Sequence, residues 1–132
     1  MKHETEKAID FVPEKFLPKG ITLVEKREFL EGDKAEGEYF DGSEYYTVKI
    51  ERMNAKEAEN LINRIRKTSG RNILLECNNL LLIRLGDEKF SEFNLIGYKR
   101  NFLFSVTGEC CDYVLQLASL TIKLLERKRK PV

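Results

Sequence analysis

Along the chain the spacing of hydrophobic positions changes several times, and each change marks an element. Between Tyr45 and Met53, Tyr46, Val48 and Ile50 alternate with Thr47, Lys49 and Glu51. That period of two predicts a strand with one wet face. From Asn54 to Gly70 the period turns helical, and Ala55, Ala58, Leu61, Ile62 and Ile65 share a face about 120° wide. Asn54 with Glu57 three residues on forms a capping-box pattern, in which each side chain serves an amide of the first turn. Glu57 and Glu59 open this helix, Arg64, Arg66 and Lys67 close it, as the dipole prefers, and Gly70 can end it.

On either side of that unit the pattern predicts strands. Ile21 to Phe29 and Ala35 to Phe40 are separated by a turn at Leu30 to Lys34, and Asp41-Gly42 is a hairpin signal. After Arg71 the apolar runs are short and dense. Ile73 to Cys77 and Leu80 to Leu85 flank Asn78-Asn79, a two-residue turn of residues that tolerate positive φ. Gly86 to Lys89 turns again, Phe90 to Ile96 is a strand, Gly97 to Asn101 a loop, and Phe102 to Thr107 a further strand. Leu80 to Leu85 and Phe102 to Val106 are apolar on both faces, which suits central strands covered twice.

The last long segment, Glu109 to Arg127, poses a packing problem. Projected as a helix, its apolar residues span about 220°, roughly twice the stripe that one core contact requires. Leu115, Leu117, Leu120, Ile122, Leu124 and Leu125 all fall within that arc. Thr121 interrupts it, and a helical Thr can satisfy its hydroxyl on the carbonyl one turn back. Such a helix needs cover from two directions, one of which a sheet provides. For the other, the candidates are the arm at residues 1–20 or a second molecule. The arm places Phe11, Val12, Phe16 and Leu17 among Pro13 and Pro18, which forbid a continuous helix there, and all four are expected to be buried.

The expectation is therefore an α+β domain over residues 21–127, preceded by an irregular arm and followed by a basic tail at 128–132. Its mostly antiparallel sheet has six or seven strands, with helices at about 54–69 and 109–127 in the order βββ-α-ββββ-α. A chain of 132 residues suffices for one core.

Composition narrows the functional classes. A net charge of +1 gives no global pull toward nucleic acid, which is not expected as a partner. No apolar run reaches the roughly 18 residues of a membrane span. The start, Met1-Lys2-His3-Glu4, lacks the apolar stretch of a secretion signal, so a cytoplasmic location follows if Met1 is the native start. His3 is the single histidine, which argues against triads and His-ligated metal, and no cofactor is expected. Cys77, Cys110 and Cys111 match no zinc spacing. The readings open for them are a small buried hydrophobe, a thiol activated at a helix start, and a disulfide from Cys77. Glu109 and Asp112, flanking the pair, disfavour a thiolate.

Two further clusters are candidate contacts. Tyr98, Lys99 and Arg100 combine an aromatic with two cations in a predicted loop, a set able to hold an anion or stack on a base, or simply to be solvated. Tyr39, Phe40, Tyr45 and Tyr46 surround one hairpin, and strict alternation sends two inward and two outward. The outward pair, including Tyr45, is a possible partner patch.

The order of elements resembles the PsbP-like fold, an α/β/α sandwich. The likeness rests on Tyr45-Tyr-Thr-Val-Lys-Ile-Glu-Arg-Met53 running into the Ala-bearing helix, and on Phe104-Ser-Val-Thr-Gly108 leading into a helix with Leu117-Ala118. It covers most of residues 21 to 126, and it implies an accessory or binding role without chemistry. Together these readings favour a non-catalytic domain that binds a protein partner or a second copy of itself. The alternative is a small apolar ligand held between the sheet and the C-terminal helix. A thiol-dependent activity is a third class.

Overall fold

The computed structural model describes residues 6–77, 79–86 and 89–127. The expected order is present: β1 (Thr22–Phe29), β2 (Lys34–Phe40), β3 (Tyr45–Arg52), α1 (Ala55–Ser69), β4 (Ile73–Cys77), β5 (Leu80–Gly86), β6 (Ser91–Lys99), β7 (Phe102–Gly108) and α2 (Cys111–Glu126). All strand pairs are antiparallel, in the spatial order β1-β2-β3-β7-β6-β5-β4. The first three strands thus form a meander that joins the last four through β3 and β7, leaving β1 and β4 as edges.

Alternation along the strands sorts the core into two layers. Tyr46, Val48 and Ile50 of β3 and Phe102, Phe104 and Val106 of β7 face α2, packing with its Val114, Leu117, Ala118 and Leu125. Leu81 and Ile83 of β5 and Ile96 of β6 point the other way, toward Ile62 of α1. The helices therefore cover opposite faces. On the α1 face the cover reaches part of β4, β5, β6 and part of β7, and the outward residues of β2 and β3 are partly or fully exposed. Strand β5 is buried on both sides only over Leu81, Leu82 and Ile83; from Arg84 onward it is exposed, because it lies next to an edge rather than at the centre.

The two helices meet their local expectations differently. Asn54 caps α1, its Oδ1 accepting the Glu57 backbone N–H at 2.8 Å, while Glu57 returns to the Asn54 side-chain amide at 3.0 Å. Helix α2 begins at Cys111, two residues later than expected, because Cys110 occupies the N-cap and makes no side-chain capping bond. Thr121 is buried and donates to the Leu117 carbonyl at 2.9 Å, so the polar interruption of the apolar arc is closed within the helix.

Cover for the second flank of α2 comes from the arm. Ala8–Phe11 forms one 3-10 turn, and Phe11 and Val12 are buried with Leu117 and Ala118 in a single cluster. Phe11 tilts against Phe102 with ring centroids 4.8 Å apart. Val12 seats over Gly37 of β2, where an added Cβ would collide with it. Pro13 is held by Tyr39, whose buried hydroxyl donates to its carbonyl at 2.5 Å.

Two expectations are overturned. Phe16 is not buried: it is 88% exposed, because the bend between Pro13 and Pro18 turns its ring away from the core. Gly97, Tyr98 and Lys99 are not loop residues but the end of β6. Gly97 does not bend the chain. It makes room for the Phe104 ring, 2.5 Å from where its Cβ would lie. The connection shortens to Arg100-Asn101, both at positive φ (52° and 70°), the geometry of a tight two-residue hairpin. Of the predicted turn Asn78-Asn79, Asn78 lies outside the described residues, as do residues 87 and 88 of the next turn and the basic tail at 128–132.

Candidate functional site

The β6–β7 turn and the β4–β5 turn lie at the same end of the sheet, since Cys77 pairs with Leu80, Leu80 with Gly97, and Gly97 with Phe104. Tyr98, Lys99 and Arg100 are together here. Tyr45 is not with them. It opens β3, whose far end, Arg52, is the residue paired with Phe102, so Tyr45 belongs to the opposite end.

Each member of the trio has an internal partner. Arg100 sits at the C-terminus of α2, where its Nη1 donates to the carbonyls of Leu125 (2.7 Å) and Arg127 (2.8 Å). A cation there completes carbonyls that the helix leaves unpaired and complements its dipole. The Nη2 atom of Arg100 donates to both carboxylate oxygens of Glu6 at 3.1 Å, tying the arm to the same point. Lys99 pairs with Glu126 at 3.2 Å. Tyr98 donates its hydroxyl to the Met53 carbonyl at 2.8 Å, and burial raises its pKa. Their first task is to fasten α2, the arm and the β3–α1 link to the sheet.

Beside them an open cleft of about 560 Å³ separates the sheet from the last turns of α2, with Leu80, Phe104 and Ile122 as its apolar part and Tyr98, Lys99 and Arg100 on its rim. A second cleft of about 510 Å³ lies on the α1 face, between Glu59, Asn63 and Arg66 of the helix and Glu76 of β4. Cys77, Asn79 and Tyr98 border both clefts. The cations around this end are engaged: Arg66 pairs with Glu76, as Lys99 does with Glu126. An anion entering here would have to compete with carboxylates already in place.

The cysteines do not assemble into a redox site. All three are free thiols. Cys77 lies at the turn end of β4, whereas Cys110 and Cys111 follow Gly108 at the opposite end of β7, so no disulfide joins them. Burial raises the Cys111 pKa, and Asp112 and Cys110 add to the shift, so its thiolate is disfavoured at neutral pH. Among the described residues no group of three or more His, Cys, Asp or Glu side chains is placed to hold a metal ion. None of the described helices is long and apolar enough to cross a membrane.

The aromatic hairpin divides as alternation requires. Tyr39 and Tyr46 face each other across β2–β3, fully buried, while Phe40 and Tyr45 stack outward with centroids 4.7 Å apart and Tyr45 57% exposed. The Tyr46 hydroxyl donates to Asp41 Oδ2 at 2.9 Å, and burial followed by that carboxylate pushes its pKa up.

One surface was not singled out from sequence. Edge strand β4 presents Leu74 at 51% and Leu75 at 44% exposure, with Leu85 of β5 also exposed nearby. The only charge in the strand, Glu76, is exposed but paired with Arg66 of α1. On the neighbouring flank of α2, Leu115 is 38% exposed and Ile122 half-buried. The available signal was the composition Ile73-Leu-Leu-Glu-Cys77, too apolar for an edge, but nothing local reveals that this strand is last in the sheet.

No family model matches the chain, and neither does any curated protein or solved structure.

Proposed function

We propose that the chain is a non-catalytic binding domain that associates with protein through the open β4 edge, a second copy of itself being the partner. The observation that carries this reading is the pair Leu74 and Leu75 on an edge strand whose single carboxylate is neutralised within the same chain. An edge strand offers unpaired backbone N–H and C=O groups, and exposed leucines make it a template for another strand. Two copies related by a two-fold axis would meet leucine to leucine, with no like charges opposed. The strand has five residues, so the contact is small and the association concentration-dependent. Helix α2 contributes less than its apolar arc suggested, since the arm covers one flank. An accessory role is also what the PsbP-like resemblance implies.

Size-exclusion chromatography with light scattering tests the reading on wild type and on Leu75→Lys. A mass that rises with concentration in the wild type and stays monomeric in the variant is expected. A wild-type monomer at every concentration would remove self-association.

A second reading has its own support. The cleft of about 560 Å³ lies within the roughly 300–1,000 Å³ range of ligand pockets and offers Leu80, Phe104 and Ile122 to an apolar molecule. Co-purified lipid in native mass spectrometry, lost in Ile122→Asp, is the result that would favour it. The cleft is open rather than enclosed and its cations are engaged, which places this reading second.

A further inference from the structure

Phe16 carries two costs at once. An aromatic ring stands 88% exposed, and its backbone sits at φ 59°, in the left-handed region that a bulky side chain disfavours. The bend is not loose. Pro13 is buried and fixed by Tyr39 on one side, and on the other the Ile21 N–H donates to the Pro18 carbonyl at 3.0 Å. The arm is thus pinned at both ends, with Phe16 projecting between them.

Its surroundings are basic. Phe16 shares a groove of about 420 Å³ with Leu120 and Leu124 of α2, and the rim carries Lys15, Lys123 and Arg127. Two carboxylates and Lys26 also border the groove: Glu14 is paired with Lys26, while Asp10 accepts the Lys7 backbone N–H at 3.1 Å and keeps its charge, so the lining stays net basic through Lys15, Lys123 and Arg127. Where the fold could have placed a glycine or asparagine facing water, it holds a strained phenylalanine beside a net basic rim.

We infer that Phe16 and this basic rim dock the domain onto an anionic phospholipid surface. Each basic side chain near such a surface adds attraction without needing fixed geometry. A projecting ring adds apolar burial at the headgroup boundary. A fluid surface is favoured over an acidic protein because two of the three rim cations, Lys15 and Lys123, are flexible lysines rather than guanidinium forks, and the exposed Phe16 ring projects beside them. The inference is independent of the β4 edge, since the arm contacts β1, β2 and β3 at the other side of the sheet.

The test is co-sedimentation of the full chain with phosphatidylcholine vesicles, with and without phosphatidylserine. Binding should require phosphatidylserine and weaken as salt rises. In Phe16→Asn, affinity should fall roughly tenfold, a Phe-sized burial term, while the melting temperature stays level or rises, since Asn accepts positive φ. The chain has no tryptophan, so Phe16→Trp supplies a single tryptophan, excited apart from the tyrosines at the red edge of the absorption band, whose emission should shift to the blue on phosphatidylserine vesicles. Absence of sedimentation at low salt, equal binding without phosphatidylserine, wild-type affinity in Phe16→Asn, or an emission unmoved by vesicles would each overturn the proposal.

Discussion

At one edge of the sheet β1 carries Glu25, Lys26, Arg27 and Glu28 in succession; at the other, β4 offers Leu74, Leu75 and a single glutamate. The β1 charges are tied to neighbours: Lys26 pairs with Glu14 of the arm, and Arg27 with Glu38 of β2 at 3.1 Å. A bulge between Leu23 and Glu25 further breaks the β1 register. Charge, bulge and covering segment are the means by which natural sheets discourage edge pairing. Strand β4 also has a bulge and is short, yet its charge is spent on α1. One edge is closed by several devices, and the other keeps an apolar strand in reach of a partner.

The closed edge should be the costlier to open. Phe11→Ala removes the ring that joins the arm to Phe102 and is expected to cost about 3–5 kcal/mol in urea denaturation, the range for a buried phenylalanine. Because the arm covers β1 and β2, their amides should exchange faster in this variant while those of β4 keep their wild-type rate. Equal acceleration at β4 would mean that the two edges unfold as one unit and that the contrast is only superficial. A smaller loss, about 1 kcal/mol, is expected for Asn54→Ala, which deletes the cap that starts α1 on the β4 side of the molecule. That loss should appear in α1 and β5, leaving the arm in place.

Strand order and helix order were legible because they rest on local periodicity. Tyr46, Val48 and Ile50 announce β3, and Asn54 with Glu57 announces α1, without reference to anything distant. Sheet topology was not legible, since β4 becomes an edge only through pairings of β3 with β7 and of β5 with β6, and no local pattern encodes them. The same limit explains the candidate contacts. Tyr98, Lys99 and Arg100 were visible as a cluster of chemistry, but their partners Met53, Glu126, Leu125 and Glu6 come from three other parts of the chain. Phe16 failed differently: its hydrophobicity predicted burial, while the prolines that bracket it left the ring no path inward.

Substitutions that touch only the edges sharpen the comparison further. Leu75→Lys places a charge on β4 and should change stability by no more than about 0.5 kcal/mol, as exposed positions do, while abolishing concentration-dependent mass. Val24→Lys is the matched control, because Val24 is 53% exposed on β1. It should alter neither stability nor mass. If Val24→Lys also prevents association, the interface includes β1 and the assignment to β4 is wrong.

The smallest effects concern acid, and they lie at the end of the sheet formed by the β2–β3 hairpin. Asp41 Oδ1 accepts the backbone N–H groups of Glu44 (2.7 Å) and Ser43 (2.8 Å), and these bonds, with the Tyr46 hydroxyl, hold its carboxyl below its ordinary value of 3.8. A lowered native pKa means the unfolded chain binds the proton first. The stabilisation is therefore complete above pH 3.8 and disappears as pH falls through the lower native value. Glu109, close to the same hairpin, has the opposite sign: burial, then the charge of Glu44, raises its pKa above 4.5. There the folded state binds the proton first, so the charged form opposes folding, and stability declines as pH rises from 4.5 through the raised native value. Melting temperature against pH should separate the two. Asp41→Asn should flatten the acid limb below pH 3.8, and Glu109→Gln should raise the melting temperature at neutral pH while leaving that limb in place. Leu75→Lys, at the other edge, should leave both features of the profile unchanged, and any shift in them would show that the guarded and open halves are electrostatically coupled through the sheet.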